Sequence, residues 1–185
     1  YALILVVKVV CGSIVLRASH LNWALYAMEI FVKYHIEVHK FRNALSYLVE
    51  FESYKIIELG GFAWAGLNSF PHGSCFLSSS LLGMYLKQQG AENVKLISAN
   101  VDVEESPDIK SHAWLEVDGK YVDITGSQFS NITNSRISVQ SKHSSEWIFS
   151  YAQIAKQHGT YREQEPDYDG NQSLYNLILS KIDCI

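Results

Sequence analysis

Cysteine is scarce in this chain, and its spacing excludes several classes of protein. The 185 residues contain three cysteines, Cys11, Cys75 and Cys184, which lie far apart and form no CxxC pair. Three widely spaced cysteines do not fit a disulfide framework, a structural zinc site or a redox couple. The sequence therefore predicts a reducing compartment, and the cytoplasm is the expected location.

Clusters of basic residues are missing as well. The chain has 15 Lys and Arg residues against 19 Asp and Glu residues, a net charge of -4, and no stretch gathers the basic side chains into a stripe. Nucleic acid is therefore not expected as a partner. Proline is rare and low-complexity tracts are lacking, while 48% of the residues are hydrophobic. This composition predicts a single domain over residues 1–185 with a buried core.

Long apolar runs are confined to residues 1–16, which read YALILVVKVVCGSIVL. Lys8 interrupts this run, which is shorter than the roughly 20 residues that a membrane-spanning helix needs. A buried strand or helix is the favoured interpretation. The alternatives are the core of a secretory signal, which would make the protein a secreted one, or a segment 1–27 foreign to the native protein.

The next stretch is proline-free and rich in helix formers. Residues 28–59 end at a Gly-Gly pair and predict one long helix or two joined helices, so that residues 1–60 form a helical N-terminal extension. His35 and His39 would share a helical face at metal-ligand spacing, but no third ligand is evident and no metal site is predicted. The segment 60–74, rich in Gly, Ser, Asn and Pro, predicts a loop.

Cys75 lies where that loop meets a predicted helix. Leucines recur at helical spacing after it, and Gly90 provides a C-terminal stop. A helix N-terminus carries unpaired N–H groups and partial positive charge, which stabilise a thiolate and lower its pKa. The position suits a nucleophile, although cysteine is also a common small core residue.

Alternating apolar residues predict strands further along the chain. NVKLISANVDV, residues 93–103, indicates one strand, and SHAWLEVDGKYVDITGSQF, residues 111–129, indicates a hairpin. The dipeptide Asp118-Gly119 is the strongest short-range hairpin signal. A two-residue turn at this dipeptide sets the register of the two strands.

In that register Trp114 opposes Asp123, and His112 opposes Thr125, so these four side chains share one face. His112 and Asp123 are diagonal neighbours. The carboxylate can fix the imidazole tautomer, which leaves the other ring nitrogen to accept a proton from a thiol. Taken singly, each residue also fits a plain surface role on a sheet. The opposite face is apolar and predicts a core contact through Ala113, Leu115, Val122 and Ile124.

The order of these residues resembles the transglutaminase-like superfamily, whose core is related to papain-like proteases. The likeness covers residues 62–130: a cysteine at a helix start, a histidine about 40 residues on in HAWLEVDG, and an aspartate in YVDITGSQF. Small bacterial proteins of this superfamily are the most similar, and lasso-peptide leader peptidases are more distantly similar. The resemblance implies Cys75 as nucleophile, His112 as general base and acid, and Asp123 as its orienting partner.

The chain departs from two branches of that superfamily. HGSCF replaces the GQCW-like sequence of transglutaminases, and the RGGxCxE pattern of arylamine acetyltransferases is missing, so crosslinking and acetyl-CoA chemistry are less expected. The Cys75 backbone N–H is one candidate oxyanion donor. The Asn68 side chain is another and Gln128 borders the expected pocket, although loop capping and turn hydrogen bonds suit both equally. His72 and Trp114 are expected near the thiol.

The expected fold is α+β: a cysteine-bearing helix packed on an antiparallel sheet, with N-terminal helices before this core and C-terminal helices in residues 131–185. The expected reaction is acyl transfer from a peptide or protein amide through a thioester, without cofactor or metal. Water as acceptor would make the protein a peptidase, amidase or deamidase. An amine acceptor would make it a transglutaminase-type or N-acyl-transferring enzyme. The non-enzymatic alternative is an inactive binding or immunity protein on the same scaffold.

Overall fold

The computed structural model of the protein describes residues 18–182 and 184, apart from 103, 107, 143–145 and 169, and it describes only the backbone of residues 18–33. The apolar run 1–16 and Cys11 lie outside the described residues, so the expectations for them stay predictions. The chain divides into two compact units, residues 1–33 and residues 34–185. Within the first unit, the described structure is the beginning of helix α1, Ala18–Phe51.

The second unit contains the rest of α1, followed by α2, Ser53–Glu58, and α3, Gly61–Leu67. The expected joined helices are therefore present. The loop prediction was wrong for α3, because this proline-free segment buries Ala63 and Leu67 as a short helix. Gly60, the residue before that helix, has a φ of 114°, a backbone conformation that favours glycine.

The cysteine-bearing helix and the hairpin follow as predicted. Helix α4 is Cys75–Gln88, strand β1 is Val94–Val101, strand β2 is Ser111–Val117 and strand β3 is Lys120–Asp123. In the hairpin turn φ is 46° at Asp118 and 79° at Gly119, which is the sign that a two-residue hairpin turn requires. Leu115 pairs with Val122, which confirms the predicted register.

These strands belong to a five-stranded antiparallel sheet with the order β4-β3-β2-β1-β5. Both edge strands, β4 at Ser138–Ser141 and β5 at Gly159–Gln164, fall in the segment 131–185, for which only helices were expected. The sequence did not indicate them because β4 has four residues and β5 is polar and almost wholly exposed. The expected helices are present as α5, Trp147–His158, and α6, Gln172–Ile182.

The sheet has a core on each face. One core packs against α4 and is largely aliphatic, and the other packs against α5 and is rich in aromatic side chains. The fold is therefore α+β, with the central hairpin covered on both sides. Of the described helices, none combines the length and apolar character that crossing a membrane requires.

Candidate active site

Cys75 is the first residue of α4 and is partly exposed. The residue before it, Ser74, does not cap the helix, because its hydroxyl donates a hydrogen bond to the Pro71 carbonyl at 2.9 Å. Farther along α4, the Ser79 hydroxyl donates to the Ala113 carbonyl at 3.3 Å, which ties the helix to β2 beside His112. The helix start thus offers uncapped N–H groups next to a thiol.

His112 and Asp123 form a buried pair on the α5 side of the hairpin. Nε2 of His112 lies 3.1 Å from Oδ2 of Asp123, and both side chains are completely buried. The predicted register accounts for this contact, since it makes the two residues diagonal neighbours on one face. A buried carboxylate in this position holds the imidazole orientation and stabilises its protonated form.

The second oxygen of Asp123 has its own partners. The Thr125 backbone N–H and hydroxyl donate to Oδ1 at 2.8 and 3.0 Å. Gly126 follows, and a Cβ atom built there would lie 2.8 Å from Oδ2, closer than real Cβ contacts come. Thr125 was placed on this face by the sequence, but its hydrogen bonds and the need for glycine at 126 were not foreseen.

Aromatic side chains enclose His112. The Trp114 ring stacks beside it with a centroid distance of 5.8 Å, the Phe129 ring lies nearly perpendicular to it at 5.0 Å, and the Trp147 ring of α5 lies at 5.5 Å. Trp114 is fully buried, which supports the expectation that it lies beside the pair. Phe129 and Trp147 were missed because no local pattern shows that they converge on β2. The enclosure lowers the local dielectric and strengthens the interaction between imidazole and carboxylate.

The remaining ring nitrogen of His112, Nδ1, is buried and has no hydrogen-bond partner among the described residues. The Cys75 thiol and the His112 ring affect each other electrostatically, although no hydrogen bond to Nδ1 is found within the described structure. Burial raises the pKa of the Cys75 thiol, but the interaction with His112 and the backbone of Ala113 outweigh it, so that pKa lies below its ordinary value.

The pKa of His112 moves in the opposite direction. Burial lowers it, but the negative charge and hydrogen bond of Asp123 outweigh burial, and Cys75 adds a smaller contribution, so the pKa of His112 is raised. A lowered thiol pKa and a raised imidazole pKa together favour a thiolate beside an imidazolium. Such a pair can act as nucleophile and proton donor.

The structure also describes the surroundings of the other predicted site residues, Gln128, Asn68 and His72. Gln128 uses its side-chain amide to bond the Thr125 carbonyl at 3.1 Å, a turn interaction. Asn68 is exposed, and its backbone N–H caps α3 by bonding Trp64. His72 is exposed in the turn before Cys75. No hydrogen bond within the described part of the chain joins these side chains to Cys75, so their roles stay predictions.

The histidines of α1 lie together as their spacing indicates. The rings of His35 and His39 have centroids 4.7 Å apart. Within the described ranges, no group of three or more His, Cys, Asp or Glu side chains is arranged to hold a metal ion.

Comparisons of the chain with models of protein families, with curated proteins and with solved structures found no match. The resemblance to the transglutaminase-like superfamily therefore rests on the motifs around Cys75, His112 and Asp123.

Proposed function

We propose that the protein is a cysteine-dependent acyl transferase acting on a peptide or protein amide, with water as its usual acceptor. In this proposal Cys75 is the nucleophile, His112 the general base and acid, and Asp123 the residue that orients His112. The same proposal places the α4–sheet unit in the transglutaminase-like, papain-like class of folds. The reaction would be that of a peptidase, amidase or deamidase.

The observation that carries the proposal is the buried His112–Asp123 pair beside a thiol whose pKa is lowered. Burying a carboxylate and an imidazole costs desolvation free energy. Apolar side chains at the same two positions would fill the core without that cost, so a purely structural role does not require the pair. Their burial next to a partly exposed Cys75 at a helix start supports a chemical role.

The first half of the reaction forms a thioester. The Cys75 thiolate attacks the amide carbonyl carbon, and the N–H groups at the uncapped start of α4 are available to the oxyanion that develops. Collapse of this intermediate breaks the C–N bond, and imidazolium His112 gives its proton to the leaving amine. The enzyme is then acylated on sulfur, and His112 is neutral.

The second half restores the thiolate. Neutral His112 takes a proton from water as the water oxygen attacks the thioester carbonyl, and the C–S bond breaks. The products are a carboxylic acid, the Cys75 thiolate and imidazolium His112 held by Asp123. An amine that replaces water gives a new amide by the same steps.

A covalent probe tests the nucleophile. A library of peptidyl vinyl sulfones, followed by intact-mass and peptide mass spectrometry, should label Cys75 in the unmodified protein. Labelling should be lost in Cys75→Ala, be strongly slowed in His112→Ala and persist in the matched variant Cys184→Ala. Equal labelling of Cys75 with and without His112, or labelling confined to Cys184, would favour the inactive binding scaffold.

An isotope experiment separates the two acceptors. Peptide pools incubated with the protein in H₂¹⁸O, with and without cadaverine, report the acceptor in the product mass. Hydrolysis places ¹⁸O in a new carboxylate, whereas transfer to an amine attaches cadaverine in place of the amine or ammonia that leaves. Amine adducts that dominate at millimolar cadaverine would replace hydrolysis by a transglutaminase-type reaction.

A further inference from the structure

A cavity of about 370 Å³ lies against the loop that leads into Cys75. Phe70 and Pro71 form one wall, and the Pro71 carbonyl is the group that accepts the Ser74 hydroxyl immediately before the thiol. The opposite wall is the C-terminal part of α1. Its polar and aromatic side chains complete the lining with Arg136: Arg42, Asn43, Ser46, Tyr47, Glu50 and Phe51.

Two guanidinium groups face this cavity. Arg42 is only 3% exposed, and it is held in place by hydrogen bonds from Nε to the Arg136 carbonyl at 2.8 Å and from Nη1 to the Ser46 hydroxyl at 2.7 Å. The exposed Arg136 side chain reaches the same hydroxyl with Nη2 at 3.5 Å. The two cations therefore converge on Ser46.

Neither guanidinium is neutralised within the described part of the protein. No carboxylate there forms an ion pair with Arg42 or Arg136, and no hydrogen bond of Nη2 of Arg42 is found. Glu50 lines the cavity, but it is exposed and acts on Arg42 only at longer range. A nearly buried arginine without a carboxylate partner is unusual, since buried charges are normally paired.

The electrostatics agree with this geometry. Burial and then the neighbouring Arg136 lower the pKa of Arg42 to about 10, as expected for a buried guanidinium beside a second positive charge. Burial, then His35, Arg136 and Arg42 likewise lower the pKa of His39 on the same helix. The charge of Asp123 raises the pKa of Arg42, so Arg42 lies within electrostatic range of the His112–Asp123 pair.

We propose that this cavity binds a carboxylate group of a peptide ligand between Arg42 and Arg136. Arginine presents planar donors that match a carboxylate, and the Phe70 ring, which lies 4.9 Å from the Arg42 guanidinium carbon, adds an apolar wall. The bound carboxylate would be a peptide C-terminus or an acidic side chain. If the proposed acyl-transfer function holds, on which this last step rests, the substrate carries that carboxylate near the amide that Cys75 attacks.

The binding test uses Cys75→Ala protein, so it needs no turnover and stays separate from the test of the nucleophile. Hippurate, which carries a carboxylate, an amide and an aromatic ring, is titrated against ¹⁵N-labelled protein and compared with its neutral amide, hippuramide. Phenyl phosphate is the third probe. Hippurate should shift the side-chain Nε–H signals of Arg42 and Arg136 saturably, while hippuramide should bind at least about tenfold more weakly.

Matched variants locate the site. Arg136→Gln removes one cation but keeps the backbone carbonyl that holds Arg42, and it should weaken hippurate binding by about fivefold or more. Arg162→Gln makes the same change on the exposed strand β5 and should alter binding less than about twofold. Glu50→Gln removes the anion that competes in the cavity and should tighten binding about two- to threefold.

Three results would overturn the assignment. Equal shifts with hippurate and hippuramide would show that charge is not recognised. Equal weakening by Arg136→Gln and Arg162→Gln would place binding elsewhere. Binding of phenyl phosphate more than about tenfold tighter than hippurate would assign the cavity to phosphate instead of a carboxylate. If vinyl sulfones fail to label Cys75 in the unmodified protein while hippurate still binds, the proposed enzyme is rejected but the carboxylate site is kept.

Discussion

The two faces of the β2–β3 hairpin are both buried, yet they are built from different side chains. On the α4 face, Leu115 and Val122 pack in an aliphatic core. On the α5 face, Trp114 and Tyr121 belong to an aromatic core, and the histidine and aspartate on the same face are themselves completely buried. Trp114 and Leu115 are adjacent in sequence, yet they pack into different cores on opposite faces of the sheet.

The difference concerns what each face requires. An aliphatic core needs volume and shape, and it tolerates exchange among similar side chains. A buried imidazole–carboxylate pair needs particular atoms at particular distances, because each unsatisfied polar atom in an apolar site costs free energy. Substitutions on the α5 face should thus mainly lower turnover, and substitutions on the α4 face should mainly lower the free energy of unfolding.

The sharpest test of that difference is Asp123→Asn. This change keeps the size of the side chain but removes the negative charge that favours imidazolium His112, so turnover of an amide substrate selected from a peptide library should fall by about 10³- to 10⁴-fold. The melting temperature should change by only a few degrees. Steady-state kinetics and thermal unfolding measure both.

The control is Asp102→Asn, the same substitution at an exposed position. It should leave turnover within about twofold, as is usual for exposed surface substitutions. Unfolding of Asp123→Asn without an earlier loss of turnover would make Asp123 a structural residue and remove the contrast between the faces.

The hairpin was predictable because its register depends on local chemistry. Asp118 and Gly119 adopt positive φ values, and a two-residue turn then determines which side chains face each other. The start of α4 at Cys75 was predictable from the same kind of signal, a turn-forming segment followed by helical periodicity.

The rest of the site depends on long-range packing, which local patterns do not encode. Trp147 and Phe129 reach His112 only because α5 returns to cover the sheet. Arg42 meets the carbonyl of Arg136 across a separation of 94 residues. Strand β5 has no apolar alternation in its sequence because it is an exposed edge strand. Helix α3 was not predicted because glycines lie within it and just before it.

The second prediction concerns the pH dependence of thiol alkylation. Because the pKa of Cys75 is lowered and that of His112 is raised, the ion pair persists between the two shifted values. The iodoacetamide rate at Cys75 should therefore fall less steeply between about pH 8 and pH 5 than the rate of an unperturbed thiol. An unperturbed thiol loses about tenfold per pH unit below its pKa of about 8.5, or nearly a thousandfold over this range.

Cys184 supplies the internal control, since it is exposed in the same molecule. Peptide mass spectrometry measures both rates in the same samples, and the profile at Cys75 should be flatter than that at Cys184 in the unmodified protein but not in His112→Ala. A steep profile at Cys75 in the unmodified protein would show an ordinary thiol and contradict the proposed enzyme.

Gly126→Ala probes the close packing around the carboxylate. The added methyl would meet Oδ2 of Asp123 at 2.8 Å, so the carboxylate or the backbone at residue 126 must shift, which disturbs the contact of Oδ2 with Nε2 of His112. Turnover should fall about tenfold, since small displacements of an orienting group are costly. Gly119→Ala, in the exposed hairpin turn, introduces the same methyl with no atom within 4 Å and should affect stability but not turnover per folded molecule.

Among the buried positions tested, the smallest effect on turnover is expected from Leu115→Ala, on the aliphatic face. Leu115 is fully buried, and its Cδ2 lies 3.1 Å from the position of a Cβ built on Gly83 of α4, so truncation leaves a cavity between sheet and helix. The free energy of unfolding should fall by about 2–5 kcal/mol, as for other buried leucines. Turnover per folded molecule should stay within about threefold, because the His112–Asp123 contact lies on the other face. Denaturant unfolding and kinetics at a temperature where the variant is folded measure the two quantities. A tenfold loss of turnover in the folded variant would show that the faces are coupled through β2, and the division between a face for stability and a face for chemistry would then fail.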